Sequence, residues 1–272
     1  MDFNPHNSHP VGIFDSGIGG LTVANAVSEL LPMESILYYG DTAHLPYGDK
    51  SAKAIRSYSQ RIVQFLLNQN CKMIVIACNS ASASVSRHIQ HWVPPNFPIV
   101  NVIDPVVEQI ANQPQNTVGL IGTKRTVSSR IFHKKLKAKA PRKTMQSMAT
   151  PLLAPMIEEG FYNNAISKTI IENYLNNRRL YGIQSLVLAC THYPLILKQV
   201  QDWAGKQVVI HNNAQIVAQE ISRTLTELNL ANTVMNPNPH QFFVSDYTAA
   251  FEMAAKRFFG KKIKLQEHNL FD

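Results

Sequence analysis

Two cysteines, Cys78 and Cys190, each come directly after a short apolar segment and directly before hydrogen-bonding side chains. The apolar segments cover residues 73–77 and 186–189, and aliphatic runs bounded by polar residues are typical of buried parallel strands. Each thiol therefore lies at the carboxyl end of a strand, where open α/β sheets hold their ligands. Two such thiols, one from each half of the chain, predict a pair of acid/base groups that face one substrate.

The elements that must position these thiols are repeated along the chain. Residues 11–17 resemble residues 118–123, and each segment opens a series in which strands alternate with helices. The hydrophobic periodicity predicts helices over 21–31, 53–67, 126–138, 166–175 and 214–228, and further strands over 36–39, 208–210 and 242–244. This alternation predicts an α/β protein with parallel sheets that are covered by helices on both faces.

Turn-forming residues locate a change of domain. Residues 94–98 and 113–116 are rich in proline, asparagine and glutamine, and they enclose one strand and one helix. We therefore predict a first domain made of residues 1–102 plus 211–272, and a second domain of similar build over residues 103–210.

Composition and length limit the class of protein. The 272 residues, of which 45% are hydrophobic and 16% charged, are enough for one large or two ordinary globular domains. The first ten residues lack the apolar core of a secretory signal, and no apolar stretch approaches the roughly 18–20 residues of a membrane span. Three cysteines cannot all pair, so we expect reduced thiols and a cytoplasmic location.

The net charge of +8 is concentrated between Lys124 and Lys143. A solvated helix face followed by a loop accounts for this pattern. The alternative is the working surface of a basic, nucleic-acid-associated regulatory protein, a function of a different class. Only Phe132 interrupts the run, whereas nucleic-acid surfaces interleave aromatic side chains with basic ones. We therefore do not expect nucleic-acid binding.

The glycine-rich segment 12–20 follows a predicted strand and opens a predicted helix. Its glycines do not match a dinucleotide or phosphate-binding motif, and Asp15 at the strand end would repel a phosphate. Asp15 or Ser16 could simply cap the helix. The free amide groups of the helix start could also bind a substrate carboxylate.

Other reactive residues have simpler explanations. Cys190 and His192 are too few ligands for a metal site, so no metal is expected. Cys71 is predicted to be a small, partly buried hydrophobic residue. Four histidines without suitably spaced partners are expected on the surface: His44, His88, His91 and His133.

Six motifs, in order along the chain, closely resemble the signatures of the glutamate racemase family. They are GIFDSGIGGLTV at 12–23, YGDTA at 39–43 with PYG at 46–48, ACNS at 77–80, VGLIGT at 118–123, PLLAPMIEEG at 151–160 and CTHYPL at 190–195. Each motif alone is moderately specific, but six in the family's order are highly specific. The chain thus resembles the cofactor-independent aspartate/glutamate racemase superfamily.

The resemblance implies a two-base reaction that needs no cofactor, in a cleft between the two domains. One cysteine removes the α-proton as a thiolate, and the other delivers a proton to the opposite face as a thiol. Cys78 matches the group that handles the proton of the D-enantiomer, and Cys190 that of the L-enantiomer. Asp15 is implied as the partner of Cys78 and His192 as that of Cys190, while Glu158 matches an auxiliary carboxylate beside the second cysteine.

The resemblance also implies a set of substrate-binding positions. They are Asp15, Ser16, Tyr47, Gly48, Asn79, Ser80, Thr191 and His192, with Thr123 and Thr126 as further candidates. Hydroxyl and amide groups can hold the charged groups of an amino acid and stabilise a carbanion electrostatically. Pro46-Tyr47-Gly48 could instead be an ordinary turn.

The chain departs from the family's common pattern at four places. Ser80 stands where threonine is usual, His44-Leu45 where an arginine is often found, and Thr150 where a cysteine is frequent. Residues 210–214 replace an aspartate and a small residue before a helix, where Asn212 or Asn213 could still cap the helix. These departures leave every implied catalytic group in place. They put local domain contacts and substrate affinity in doubt.

The implied function is the interconversion of L- and D-glutamate, which supplies D-glutamate for peptidoglycan. The implied partner is this small-molecule substrate, with a homodimer as one assembly. The nearest alternative is an aspartate racemase or a related isomerase of the superfamily. Asp15-Ser16 and Cys190-Thr191-His192 favour glutamate over aspartate.

Overall fold

The computed structural model describes residues 6–234 and 240–271. The sequence predicts that residues 1–10 do not form a secretory signal. Residues 1–5 of this segment lie outside the described residues. The strands are β1 Val11–Asp15, β2 Ile36–Gly40, β3 Met73–Ile76, β4 Ile99–Asn101, β5 Thr117–Gly122, β6 Thr144–Ala149, β7 Ser185–Ala189, β8 Val209–His211, β9 His240–Val244 and β10 Leu265–Glu267.

Helices join most of these strands. They are α1 Leu21–Leu30, α2 Ala52–Asn68, α3 Asn79–Val85, α4 Asp104–Asn112, α5 Lys124–Ser129, α6 Ile131–Lys139, α7 Leu153–Glu158, α8 Ala165–Leu175, α9 Leu197–Ala204, α10 Asn213–Glu227 and α11 Ala249–Phe259. No helix within the described ranges is long and apolar enough to cross a membrane.

Two parallel sheets organise the chain. The first has the strand order β10-β9-β2-β1-β3-β4, and the second has the order β6-β5-β7-β8. Every residue of β1, β2, β3 and β7 is buried, as expected for strands covered by helices on both faces. The predicted α/β class, with parallel sheets flanked by helices, is confirmed.

The duplication inferred from the sequence is visible in the strand order. The series β2-β1-β3-β4 in the first sheet corresponds to β6-β5-β7-β8 in the second. The two segments with similar sequences, β1 and β5, occupy equivalent places, and each pairs with the strand that precedes a cysteine. The two thiols therefore emerge at equivalent positions of two related sheets.

The predicted division into residues 1–102 plus 211–272 and residues 103–210 stays a prediction. The first sheet takes its strands from both ends of the chain, and β8 of the second sheet extends to His211. α10 follows the second sheet but packs against α1 and α4.

One predicted helix is wrong. The segment 126–138 is not continuous, because Arg130 adopts a left-handed conformation (φ 54°) that separates α5 from α6. The Ser129 hydroxyl accepts a hydrogen bond from the amide of Ile131 at 3.2 Å. Serine side chains that bond to nearby backbone compete with the helix in this way.

A buried ion pair lies at the amino-terminal edge of the first sheet, opposite the thiols. Lys72, directly before β3, places its Nζ 2.6 Å from Glu34 Oε2, and both side chains are almost wholly buried. The Lys72 ammonium also donates to the carbonyl oxygens of Asn7 and Leu230, and Glu34 accepts from the amide of Asn232. The pair thus joins the start of the chain to the segment that follows α10.

Candidate active site

A cavity of about 250 Å³ lies between the carboxyl edges of the two sheets. Both cysteines line it, Cys78 from the first sheet and Cys190 from the second. The other lining residues are Ser16, Leu45, Pro46, Tyr47, Gly48, Asn79, Ser80, Thr123, Ala154, Pro155, Glu158, Ala189, Thr191 and His192. Of the substrate-binding residues predicted from the sequence, Asp15 lies behind this wall, and the additional candidate Thr126 does not line the cavity either.

Cys78 follows β3 and caps the amino terminus of α3. Its Sγ accepts a hydrogen bond from the amide of Ala81 at 3.4 Å and lies 3.6 Å from the Ser16 hydroxyl. Burial, reinforced by the nearby Asp15 carboxyl, raises the pKa of Cys78 to about 12. This group therefore favours the thiol, the form that donates a proton.

Asp15 ends β1 and is completely buried. Its Oδ2 accepts from the Gly17 amide at 3.2 Å, and its Oδ1 accepts from the Thr191 hydroxyl at 3.4 Å. Burial raises its pKa, while the neighbouring His192 and the backbone amides of the turn act in the opposite direction. A carboxyl group with a raised pKa can hold or return a proton near Cys78.

Cys190 has a different partner. Its Sγ lies 3.5 Å from Nδ1 of His192, whose Nε2 lies 2.7 Å from Oε1 of Glu158. Burial opposes a charge on His192, but Cys190 and Glu158 outweigh it and raise the histidine pKa well above its ordinary value. A protonated His192 beside Cys190 stabilises a thiolate there. The partner on this side of the cavity is thus a histidine with a raised pKa, whereas the group near Cys78 is a carboxyl.

The two sheets approach closely around these groups. The Thr22 hydroxyl donates to the carbonyl oxygen of Thr191 at 2.9 Å, and the Ser80 hydroxyl lies 2.8 Å from that of Thr123. Gly19 permits this approach, because a Cβ atom there would lie 2.5 Å from Cε1 of His192. The Thr123 hydroxyl caps α5 by accepting a hydrogen bond from the amide of Thr126. Thr123 therefore lines the cavity, while Thr126 lies within the first turn of the helix.

Tyr47 lines the cavity, but its hydroxyl is already engaged. It donates to Oδ2 of the buried Asp41 at 2.6 Å, while Ser245 donates to Oδ1 at 2.9 Å. Residues 47–49 form a short 3₁₀ helix rather than an open turn. The Tyr47 ring is thus held as part of the wall, and its hydroxyl is not free for a ligand.

The expected surface location of His44 is wrong. Its Nδ1 lies 2.8 Å from Asp41 Oδ1, and its ring stacks on Tyr58 and meets the edge of Phe271. The residue fits into a cluster whose members lie far apart in sequence, and no local spacing indicates this. His133 is half-buried, whereas His88 and His91 are exposed as expected.

The remaining departures from the family pattern are accommodated locally. The buried Thr150 hydroxyl lies 2.6 Å from that of Tyr193. Asn212 caps α10 by accepting from the amide of Gln215 at 3.5 Å, and Asn213 donates to the carbonyl oxygen of Leu188 at 3.0 Å. The helix start therefore keeps a side-chain cap without the usual aspartate.

One buried acceptor in the cavity lacks a partner. Oδ1 of Asn79 is inaccessible to solvent and accepts no hydrogen bond from the part of the chain that the structure describes. Buried side-chain oxygens are nearly always paired in folded proteins. Asn79 itself lines the cavity, so a small rotation of its side chain would bring this acceptor to a ligand with a donor group.

Several residues around the cavity were not predicted from the sequence. Asp41 follows β2 as the cysteines follow β3 and β7, so the same strand-end argument would have found it. The apolar wall residues Leu45, Ala154 and Pro155 carry no chemical signal of their own.

The basic segment between Lys124 and Lys143 is partly neutralised within the chain. Three of its lysines form ion pairs with acidic residues of other elements: Lys124 with Asp49, Lys135 with Asp104 and Lys139 with Glu108. Lys143 donates to two backbone carbonyl oxygens. Within residues 6–234 and 240–271, no three or more histidine, cysteine or acidic side chains are grouped as a metal site would require.

Two cysteines in one cleft between related parallel sheets are the arrangement expected of a racemase-type site, and known proteins match the chain. The family model for Asp/Glu/hydantoin racemase matches residues 22–219, and the chain belongs to this family. The glutamate racemase of Syntrophus aciditrophicus is 36% identical over 97% of both chains, and that of Neisseria meningitidis serogroup A is 37% identical over 96% of both.

A solved structure gives the same result in three dimensions. The glutamate racemase of Francisella tularensis, determined in complex with D-glutamate, superposes with a TM-score of 0.90 at 32% identity and covers 97% of this chain and 98% of its own. The resemblance inferred from the six motifs is confirmed.

Proposed function

We propose that the protein is a glutamate racemase that interconverts L- and D-glutamate without a cofactor. The observation that carries the proposal is the pair of thiols on opposite sides of one cavity, each with a different proton-handling partner. Inversion of an α-carbon needs a base on one face and an acid on the other. Cys190 beside His192 suits the first role, and Cys78 beside Asp15 suits the second.

With L-glutamate, the Cys190 thiolate takes the α-proton and leaves a planar carbanion. The Cys78 thiol then gives its proton to the opposite face, which forms D-glutamate and a Cys78 thiolate. The carboxyl of Asp15, with its raised pKa, can donate to this thiolate and limit its cost. The reverse reaction exchanges the roles of the two thiols.

The substrate's charged groups would be held mainly by uncharged donors and acceptors. Ser16, Asn79, Ser80 and Thr191 line the cavity and would supply amide and hydroxyl groups to the ammonium and the carboxylates. The hydrogen bonds between the two sheets would keep water from the carbanion while the cleft is closed.

In the cell, the proposed role is to supply D-glutamate for peptidoglycan, in the cytoplasm, where the three free thiols would stay reduced. A homodimer is part of the proposal, and sedimentation of the purified protein tests it.

The decisive experiment incubates each glutamate enantiomer with the protein in deuterated water without added cofactor. We expect deuterium at the α-position together with inversion, and loss of both in Cys78→Ala and Cys190→Ala. Exchange with aspartate in place of glutamate would point to the aspartate racemase alternative. A requirement for pyridoxal phosphate would overturn the two-thiol mechanism. Absence of exchange with either amino acid, together with DNA binding that weakens steeply with salt, would support the nucleic-acid alternative.

A further inference from the structure

A contact outside the cavity reaches the proposed catalytic histidine. The ring of Phe258, on α11, lies with its centroid 5.2 Å from that of His192, and the two planes meet at 82°. Both side chains are almost completely buried, at 3% and 6% exposure. The contact therefore has a defined edge-to-face geometry in a dry environment, which aromatic pairs favour.

The neighbouring residue extends the contact to the third member of the group. Nη2 of Arg257 donates to the carbonyl oxygen of Glu158 at 3.4 Å. The guanidinium of this arginine also packs against Gly160, because a Cβ atom at Gly160 would lie 2.7 Å from its Nη1. α11 thus contacts both the ring of His192 and the end of the helix that carries Glu158.

This contact comes from the other sheet. α11 connects β9 to β10 of the first sheet and packs against α1, whereas His192 follows β7 of the second sheet. The hydrogen-bonding contacts of the histidine, to Cys190 and Glu158, lie at its two ring nitrogens. These two contacts do not by themselves stop the ring from turning about the line that joins the nitrogens. The backbone of Gly19 lies close to the ring, and the contact with Phe258 adds a side-chain restraint on this turning.

We propose that Phe258 is a positioning residue for the reaction: it fixes the plane of the His192 ring, so that Nδ1 stays directed at the Cys190 thiolate. The proposal rests on the proposed racemase function. Its effect falls on the proton transfer at Cys190 and not on the transfer at Cys78, because Asp15 and Ser16 serve the latter.

The next residue provides a matched control. Phe259 is on the same helix and is also 3% exposed, but its ring packs on Phe242 at 5.0 Å, away from the cavity. We expect Phe258→Leu to lower kcat about ten-fold with KM within two-fold, because small displacements of a catalytic group are costly. Phe259→Leu should lower the melting temperature by a similar amount and leave kcat unchanged. Phe258→Tyr, which keeps the ring, should restore most of the rate.

Isotope effects show which proton transfer is affected. The equilibrium constant between enantiomers is one, so kcat/KM must change equally in both directions. With α-deuterated L-glutamate, where Cys190 breaks the C–D bond, the isotope effect on kcat/KM should rise in Phe258→Leu. With α-deuterated D-glutamate it should fall, because the slow step is then reprotonation by Cys190.

The outcomes separate this inference from the proposed function. A wild-type protein that does not racemise glutamate contradicts the proposed function itself. A racemising wild-type protein whose Phe258→Leu and Phe259→Leu variants lose the same activity contradicts the positioning role alone, as do isotope effects that change equally for both enantiomers. Phe258→Met, closer in length to phenylalanine, repeats the test and should give the same asymmetry.

Discussion

His192 and Glu158 are joined by a contact of 2.7 Å between Nε2 and Oε1, on a ring whose Nδ1 faces a cysteine. The carboxylate is one-quarter exposed, whereas the imidazole is nearly buried. Cys190 and Glu158 therefore raise the pKa of the histidine against the cost of burial. Glu158 thereby influences a thiol that it does not contact.

Replacing Glu158 with glutamine should lower the pKa of His192, because one of the groups that raise it loses its charge. The imidazolium is then lost at a lower pH, so the alkaline limb of the kcat profile with L-glutamate should move to lower pH. We expect kcat to fall about 10-fold, less than the roughly 10²–10⁴-fold typical of a group that transfers the proton itself. The exposed neighbour Glu159 is the control, and an equal effect of Glu159→Gln would contradict this role.

The two thiols should differ in reactivity. Iodoacetamide reacts with thiolates. At neutral pH it should therefore label Cys190, beside the His192 ring, before Cys78, whose pKa is raised to about 12. Peptide mass mapping after brief exposure checks the order. Cys71, which is buried and also has its pKa raised to about 12, should stay unlabelled. His192→Asn should abolish the preference, and faster labelling of Cys78 in the wild-type protein would overturn it.

The carboxyl of Asp15 should control the ionisation of Cys78. Asp15→Asn removes a carboxyl group whose ionised form helps to raise the thiol's pKa, so the Cys78 thiolate should appear at lower pH than in the parent. Thiolate absorbance at 240 nm, followed against pH in a Cys71→Ser, Cys190→Ser background, measures this. Racemisation by Asp15→Asn, assayed with both cysteines present, should nevertheless fall, because asparagine cannot return a proton to the thiolate. An unchanged titration would show that burial alone sets this pKa.

Asp41 should matter for the shape of the cavity. Asp41→Asn weakens the bonds from Tyr47 and Ser245, and loss of hydrogen bonds to a buried charge costs about 1.5–3 kcal/mol of folding free energy. The KM for glutamate should rise as the Tyr47 segment loosens. Asp49→Asn, on the same segment but in an exposed ion pair with Lys124, should cost less than about 1 kcal/mol. Urea denaturation and initial rates measure both effects, and equal losses would contradict the prediction.

The buried pair of Lys72 and Glu34 should affect stability and not chemistry. Lys72→Met leaves Glu34 charged and buried, which typically costs about 3–5 kcal/mol. Because the pair lies at the edge of the sheet away from the thiols, kcat of the folded variant should match the wild type. Denaturant unfolding with Lys53→Met as an exposed control tests this. A changed kcat at full folding would show a coupling that the contacts do not indicate.

The parts of the fold that the sequence predicted are those with a strong local pattern. Buried strands such as β3 and β7 are nearly all aliphatic, and long amphipathic helices such as α2 and α10 appear within one or two residues of the predicted bounds. The edge strand β6 was missed, because its residues Thr144–Ala149 are half polar and only partly buried. An edge strand needs no continuous apolar run.

The candidate site likewise has residues that the local sequence indicates and contacts that it does not. The cysteines and their immediate neighbours are indicated by strand ends and motifs, and the structure brings them to one cavity. The contacts of Phe258 with His192, and of His44 with Phe271, join residues that are far apart in the chain. Such contacts follow from sheet order and helix packing, so no window of sequence contains them.

The hydroxyl contacts between the halves, from Thr22 to Thr191 and from Ser80 to Thr123, have a kinetic consequence. Separation of the two halves would break both contacts, at a cost of about 1 kcal/mol each. The product here is the mirror image of the substrate, so a molecule that is not released is inverted again. We expect the number of inversions in each residence to depend on how long the cleft stays closed relative to proton transfer. When the cleft stays closed for longer than proton transfer takes, a bound molecule leaves as either enantiomer with equal probability, whichever enantiomer entered.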